Sequence, residues 1–95
     1  MAAYVIAMVN ITDPEKYAKY SAKATIASDK CGGEFIVRGG NPEPVEGELP
    51  YARVIVNRFE TREQARAFYN SMEYQDAKQE RLGAADFNMV IVDGV

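Results

Sequence analysis

Histidine is absent from this 95-residue chain, and cysteine occurs once, at Cys31. Those two shortages exclude a good deal of chemistry. Histidine-based acid–base catalysis, imidazole-ligated haem and thiolate metal clusters all need residues that are missing. Cys31 has no second thiol for an internal disulfide, which fits a reducing, cytoplasmic setting. With no histidine to activate it as a nucleophile, it reads as a small apolar residue closing a helix. Excess basic charge is lacking as well. Eleven Lys and Arg stand against fourteen Asp and Glu, a net charge of −3 with both signs interspersed, so there is no electrostatic footprint for nucleic acid. Long apolar runs are also missing. Ala2 to Val9 is apolar, but no Lys or Arg precedes it and Asn10 and Asp13 close it. It is too short to span a bilayer and unlike a secretory leader. The expectation is a cytoplasmic protein with no metal, cofactor, membrane or nucleic-acid partner.

What is present is a regular alternation of apolar strands and amphipathic helices. Ala3 to Ile11 is apolar on both alternating sets, as in a central strand covered on both faces. Thr12-Asp13-Pro14-Glu15 has the pattern of a capping box, with Thr12 placed to accept the amide of Glu15. The following helix carries Tyr17, Tyr20, Ala24 and Ala27 on one stripe and stops at Gly32-Gly33. Glu34 to Arg38 reads as a short edge strand that sets Phe35 and Val37 against Glu34, Ile36 and Arg38. Gly39 to Pro50, with three prolines and three glycines, reads as a long connection. Tyr51 to Phe59 is a further strand. Thr61-Arg62-Glu63-Gln64 caps a helix whose face carries Ala65, Phe68, Tyr69 and Met72. Asn70 offers a fresh cap for a second helical segment with Tyr74, Ala77, Arg81 and Leu82. Phe87 to Asp93 closes the series.

The order is βαββαβ, which as two right-handed βαβ units gives a four-stranded antiparallel sheet with the helices on one face: an α+β, ferredoxin-like arrangement. The third and fourth strands set Val54/Val56 and Val90/Val92 opposite Ile55/Phe59 and Phe87/Met89/Ile91. Both faces of the sheet are therefore apolar, and the face without helices needs a cover. The same order occurs in RNA-recognition domains, but their stacking positions fall here on Arg53 and Val56, so only Tyr51 fits that motif.

Several segments carry a family resemblance: Cys31 to Gly47 around Arg38, Asp13-Pro14, Tyr17/Tyr20, Ala65 to Gln75, and Arg81. With these the chain resembles the family of domain of unknown function 1330, within the dimeric α/β-barrel superfamily. The resemblance implies one dimeric α/β-barrel domain over residues 1–95 and an isologous homodimer packed sheet to sheet. It also implies a ligand pocket between each sheet and its helices. Tyr17, Tyr20, Arg38, Tyr69, Tyr74 and Arg81 are the expected lining, with Asn10 and Asn57 as further polar candidates.

Arg38 has two readings: a fork of donors for a carboxylate or enolate, or a salt bridge to Glu46 or Glu34 that pins the loop. Arg81 is either a ligand contact or a surface ion pair on a helix carrying Asp76, Lys78 and Glu80. Glu46, which the resemblance places beside the arginine, is the candidate general base. The acidic set Glu43/Glu46/Glu48 reads as a solvated flap. Two functions follow. One is a dimer that binds a small acidic or aromatic metabolite. The other is a cofactor-free enzyme, monooxygenase- or isomerase-like, in which Arg38 works with Glu46 or a tyrosine.

Overall fold

The computed structural model describes residues 1–95, and its elements run β1 (Ala3–Ile11), α1 (Pro14–Lys30), β2 (Glu34–Gly39), β3 (Arg53–Phe59), α2 (Arg62–Asn70), α3 (Met72–Arg81) and β4 (Ala85–Asp93). The four strands form one antiparallel sheet in the order β2-β3-β1-β4, with the helices on one face. This is the βαββαβ, ferredoxin-like α+β fold that the alternation of patterns implies.

Local chemistry sets the helix boundaries. Asp13, not Thr12, caps α1: its carboxylate accepts the amide of Lys16 at 3.2 Å, while the amide of Thr12 donates to the carbonyl of Ala84. Thr61 caps α2 and accepts from Gln64. The break between α2 and α3 falls one residue later than Asn70. Ser71 accepts the amide of Tyr74 and donates to the carbonyl of Phe68, which ends one helix and starts the next. Met72, assigned by spacing to the apolar face of α2, is 86% exposed, because the break at Ser71 turns it away from the core.

The register divides the sheet cleanly. Ala3, Val5, Ala7 and Val9 of β1 are buried under the helices. Across the sheet their neighbours are Asn57, Ile55 and Arg53 on β3, and Ile91, Met89 and Phe87 on β4. From above, the α1 stripe Tyr17, Tyr20, Ala24 and Ala27 closes the core together with Phe59, Phe68, Tyr74 and Ala77. On the other face stand Tyr4, Ile6 and Met8, flanked by Val54, Val56, Val90 and Val92. No element of this chain covers them.

One irregularity decides where Arg38 points. Phe35 pairs with Asn57, but Val37 pairs with Val56 and Arg38 with Ile55, so a bulge lies between Phe35 and Val37. Ile36 is the extra residue. Strict alternation groups Arg38 with Ile36. The bulge instead returns Arg38 to the helix-facing side, together with Phe35.

Candidate functional site

A partly open cavity of about 60 Å³ lies between the sheet and α1, with the exposed Arg38 of the edge strand β2 in its wall. Its walls come from every layer: Tyr17, Tyr20 and Thr25 of α1, Phe35 and Arg38 of β2, Arg53 and Ile55 of β3, Phe68 of α2, and Phe87 and Met89 of β4. Small residues create the space. Ala7 and Ala24 leave room between strand and helix that larger side chains would fill.

Three of the six expected lining residues, Tyr17, Tyr20 and Arg38, converge here, together with the further candidate Asn57. The Arg38 guanidinium lies 4.1 Å from the centroid of the Phe35 ring and donates from Nη2 to the Thr25 hydroxyl at 3.2 Å. Thr25 in turn donates to the carbonyl of Ser21. Arg38 forms no ion pair with Glu46 or Glu34, so neither carboxylate pins the loop through it. The bulge explains this, because Glu34 stands opposite Arg58 on the other face. Glu46 lies on the exposed segment between β2 and β3 and does not line the cavity. Asn10 holds the end of that segment: its side chain donates to the carbonyl of Pro50 and accepts the amide of Ala52.

Tyr17 and Tyr20 pack ring against ring at 5.2 Å. The Tyr20 hydroxyl shares a buried hydrogen bond of 2.9 Å with that of Tyr74, which also reaches the sulfur of Met89. Burial pushes the Tyr20 phenol well above its ordinary range, and the neighbouring Tyr74 adds to the effect. Burial also raises Tyr17, against an opposing pull from Arg53 and Arg81. Both phenols are therefore neutral at ordinary pH, proton donors rather than bases.

The other expected residues lie elsewhere. Tyr74 is wholly buried behind Tyr20. Tyr69 and Arg81 line a second, more open groove of about 430 Å³ with Lys78, and it shares Val5, Phe87 and Met89 with the first. There the Tyr69 hydroxyl accepts from Lys78 at 3.1 Å. Arg81 makes no ion pair, since Lys23 takes both Asp76 and Glu80. Its guanidinium instead stacks 3.7 Å from the Phe87 ring centroid and 5.2 Å from that of Tyr20. Asn57 is the exception: it is buried in the core and also lines the first cavity. It is bonded to Ser28 beneath Gly33, where a Cβ would stand 2.3 Å from the Ser28 hydroxyl.

Arg53 is the lining residue that the strand pattern concealed. Pairing with Val9 turns it toward the helices, away from the open face where base-stacking side chains of an RNA-binding sheet would sit. Its Nε is buried without a hydrogen-bond partner. No group of three or more His, Cys, Asp or Glu side chains is placed to hold a metal ion, and no helix is long and apolar enough to cross a membrane.

A ferredoxin-like sheet with a small helix-side cavity and an uncovered apolar face defines the class. Within it, the chain belongs to the family described as Domain of unknown function (DUF1330), whose model matches residues 2–95. Its fold is similar to a protein of unknown function from Rhodopseudomonas palustris, at 15% identity and a TM-score of 0.79 over 99% of this chain and 82% of that one. A dimeric ferredoxin-like protein of unknown function from Jannaschia sp. CCS1 gives 13% identity and a TM-score of 0.79 over 99% of this chain and 100% of that one. A cofactor-independent oxygenase from Streptomyces nogalater is more distant, at 8% identity and a TM-score of 0.66 over 99% and 93% of the two chains. No curated protein matches the chain in sequence.

Proposed function

We propose that this chain forms a homodimer through the open face of its sheet and binds a small acidic or aromatic metabolite in the cavity beneath α1. The observation that carries the binding reading is the cavity itself. It is ringed by aromatic side chains, and at its mouth an exposed arginine is held by Thr25 and Phe35 with no carboxylate to neutralise it. A guanidinium held in place with most of its donors free suits an anionic group entering from solvent. Tyr17 adds a neutral hydroxyl donor.

The dimer reading draws on the open face. Val90 and Val92 are 45% and 39% exposed there, beside Ile6, Met8, Val54 and Val56. An apolar surface of that extent is normally covered, and the Jannaschia protein of similar fold is described as dimeric. A reducing, cytoplasmic location belongs to the same proposal, in keeping with the single thiol, Cys31.

The cofactor-free enzyme, the chemistry of the Streptomyces nogalater protein, has less support. No carboxylate lines the cavity, and its two tyrosines are held neutral, so a base is lacking. Native mass spectrometry of freshly purified protein tests the proposal. The expected species is twice the 10.6 kDa chain mass carrying a small molecule that dissociates on activation. A bare chain of single mass would overturn both halves.

A further inference from the structure

Arg38 and Arg53 lie on adjacent strands, on the same helix-facing side of the sheet. Arg38 stands opposite Ile55, and Arg53 is two residues before Ile55. That diagonal relation sets the two Cα atoms on the order of 7–8 Å apart, close enough for long side chains to meet. Two like charges at such positions repel unless something negative lies between them. The chain has fourteen carboxylate side chains, and its ion pairs engage Lys23, Lys30, Arg58 and Arg62, yet none engages Arg38 or Arg53.

Arg53 is also held in place. Its guanidinium lies against Gly39, where an added Cβ would stand 2.9 to 3.1 Å from Nη1, Cζ and Nη2. Gly39 has φ +86°, a conformation that side chains resist, so the site is doubly reserved for glycine. The remaining walls carry no charge: Ala24, Ile55, Phe68 and Met89 are apolar, and Ser21, Thr25 and Asn57 add neutral polar groups. The cavity therefore combines two cationic side chains with a largely apolar lining. At about 10–15 Å³ for each water-sized site, its volume of about 60 Å³ admits roughly four to six non-hydrogen atoms.

We infer that the ligand is a short-chain carboxylate, its anionic end clamped between Arg38 and Arg53 and its apolar tail directed toward Phe68 and Met89. This rests on the pocket reading above and narrows it. Inorganic phosphate matches the charge and the size, but it would set charged oxygens against apolar walls on its far side. An aromatic acid exceeds the enclosed volume and would leave its ring in the mouth, near Phe35.

The test uses butyrate, butyramide and inorganic phosphate as probes, with binding followed by titration calorimetry and by backbone amide shifts of the full chain. Butyrate is expected to saturate the cavity. Butyramide should bind about tenfold more weakly or worse, as loss of charge-assisted hydrogen bonds implies, and phosphate should not saturate. Arg38→Gln and Arg53→Gln should each weaken butyrate about tenfold or more and leave butyramide unchanged. Arg53→Lys, which keeps the charge but loses the fork, should fall between. Arg66→Gln, on the exposed side of α2, should bind as the wild type does.

A purely structural Arg53 would lower the melting temperature when replaced. A clamp residue relieves repulsion instead, so ligand-free Arg53→Gln should melt no lower than the wild type while losing its butyrate-induced shift. Equal binding of butyrate and butyramide would overturn the clamp and leave the pocket reading standing, as would tighter binding of phosphate. Silence from butyrate overturns the inference whatever the native mass spectrum shows.

Discussion

The two faces of the sheet are built from the same kinds of residue and solve different problems. On the helix side, alanines on β1 and α1 let the layers approach, and the aromatic rings Tyr17, Tyr20, Phe59, Phe68 and Tyr74 fill most of what remains. A gap is left at the β2 edge, and arginines line it. On the open side no gap exists, because nothing packs there. Ile6, Met8 and the valines of β3 and β4 form a flat apolar surface without an arginine among them apart from Arg58, which is occupied by Glu60. Two arginines without an ion pair line the closed side, and apolar surface without a cover lies on the open side. The first suits a small anion and the second suits another copy of the same sheet.

The largest effect is expected from the packed side. Phe68 is 2% exposed, and its ring lies 5.3 Å from that of Phe59 and 4.8 Å from that of Tyr74. Phe68→Ala should cost about 3–5 kcal/mol of folding stability, measurable by denaturant titration. A loss below about 1 kcal/mol would mean that this side is loosely packed.

The open side predicts a different outcome. Ile6→Asp at the centre of the uncovered face should halve the mass in light scattering while keeping the circular dichroism of the fold, since a carboxylate cannot be buried unpaired between two sheets. A variant that remains dimeric would move the interface elsewhere.

A smaller effect distinguishes the buried hydroxyl pair. Tyr20→Phe leaves the Tyr74 hydroxyl with only the Met89 sulfur at 3.9 Å, and should cost about 1–2 kcal/mol. It should also change the pH dependence. The Tyr20 phenol is raised above its ordinary 10.0 by burial, so it stays protonated in the folded chain when the unfolded chain ionises. The stability it contributes is therefore complete below about pH 10 and is lost as the pH rises beyond it. Tyr17 acts in the same direction. Urea titrations between about pH 8 and about pH 11 should show a shallower alkaline decline for Tyr20→Phe than for the wild type.

The architecture was legible because it rests on local periodicity. The α1 stripe and the division of β3 and β4 into two alternating sets follow from spacing alone, and the structure bears them out; which set of β3 and β4 faces the helices does not follow from spacing. The site was legible only in part. Tyr17, Tyr20 and Arg38 do line one cavity, but the route to Arg38 was wrong by one residue, since nothing in Phe35-Ile36-Val37 marks a bulge. Tyr69 and Arg81 open onto a second groove that shares Val5, Phe87 and Met89 with the cavity, a division that residue spacing does not encode. Arg53 needed the long-range pairing with Val9, which no local pattern encodes. Glu46 was placed beside the arginine by the family resemblance, and the loop carries it into solvent.

The division of labour between the two faces is tested most directly by mapping amide chemical shifts on the ¹⁵N-labelled protein during titration with butyrate. The account predicts saturable shifts at Thr25, Phe35, Arg38, Arg53 and Phe68, with Ile6, Val56 and Val90 unmoved. Shifts centred on Ile6, Val56 and Val90, or an unchanged spectrum at saturating butyrate, would contradict it.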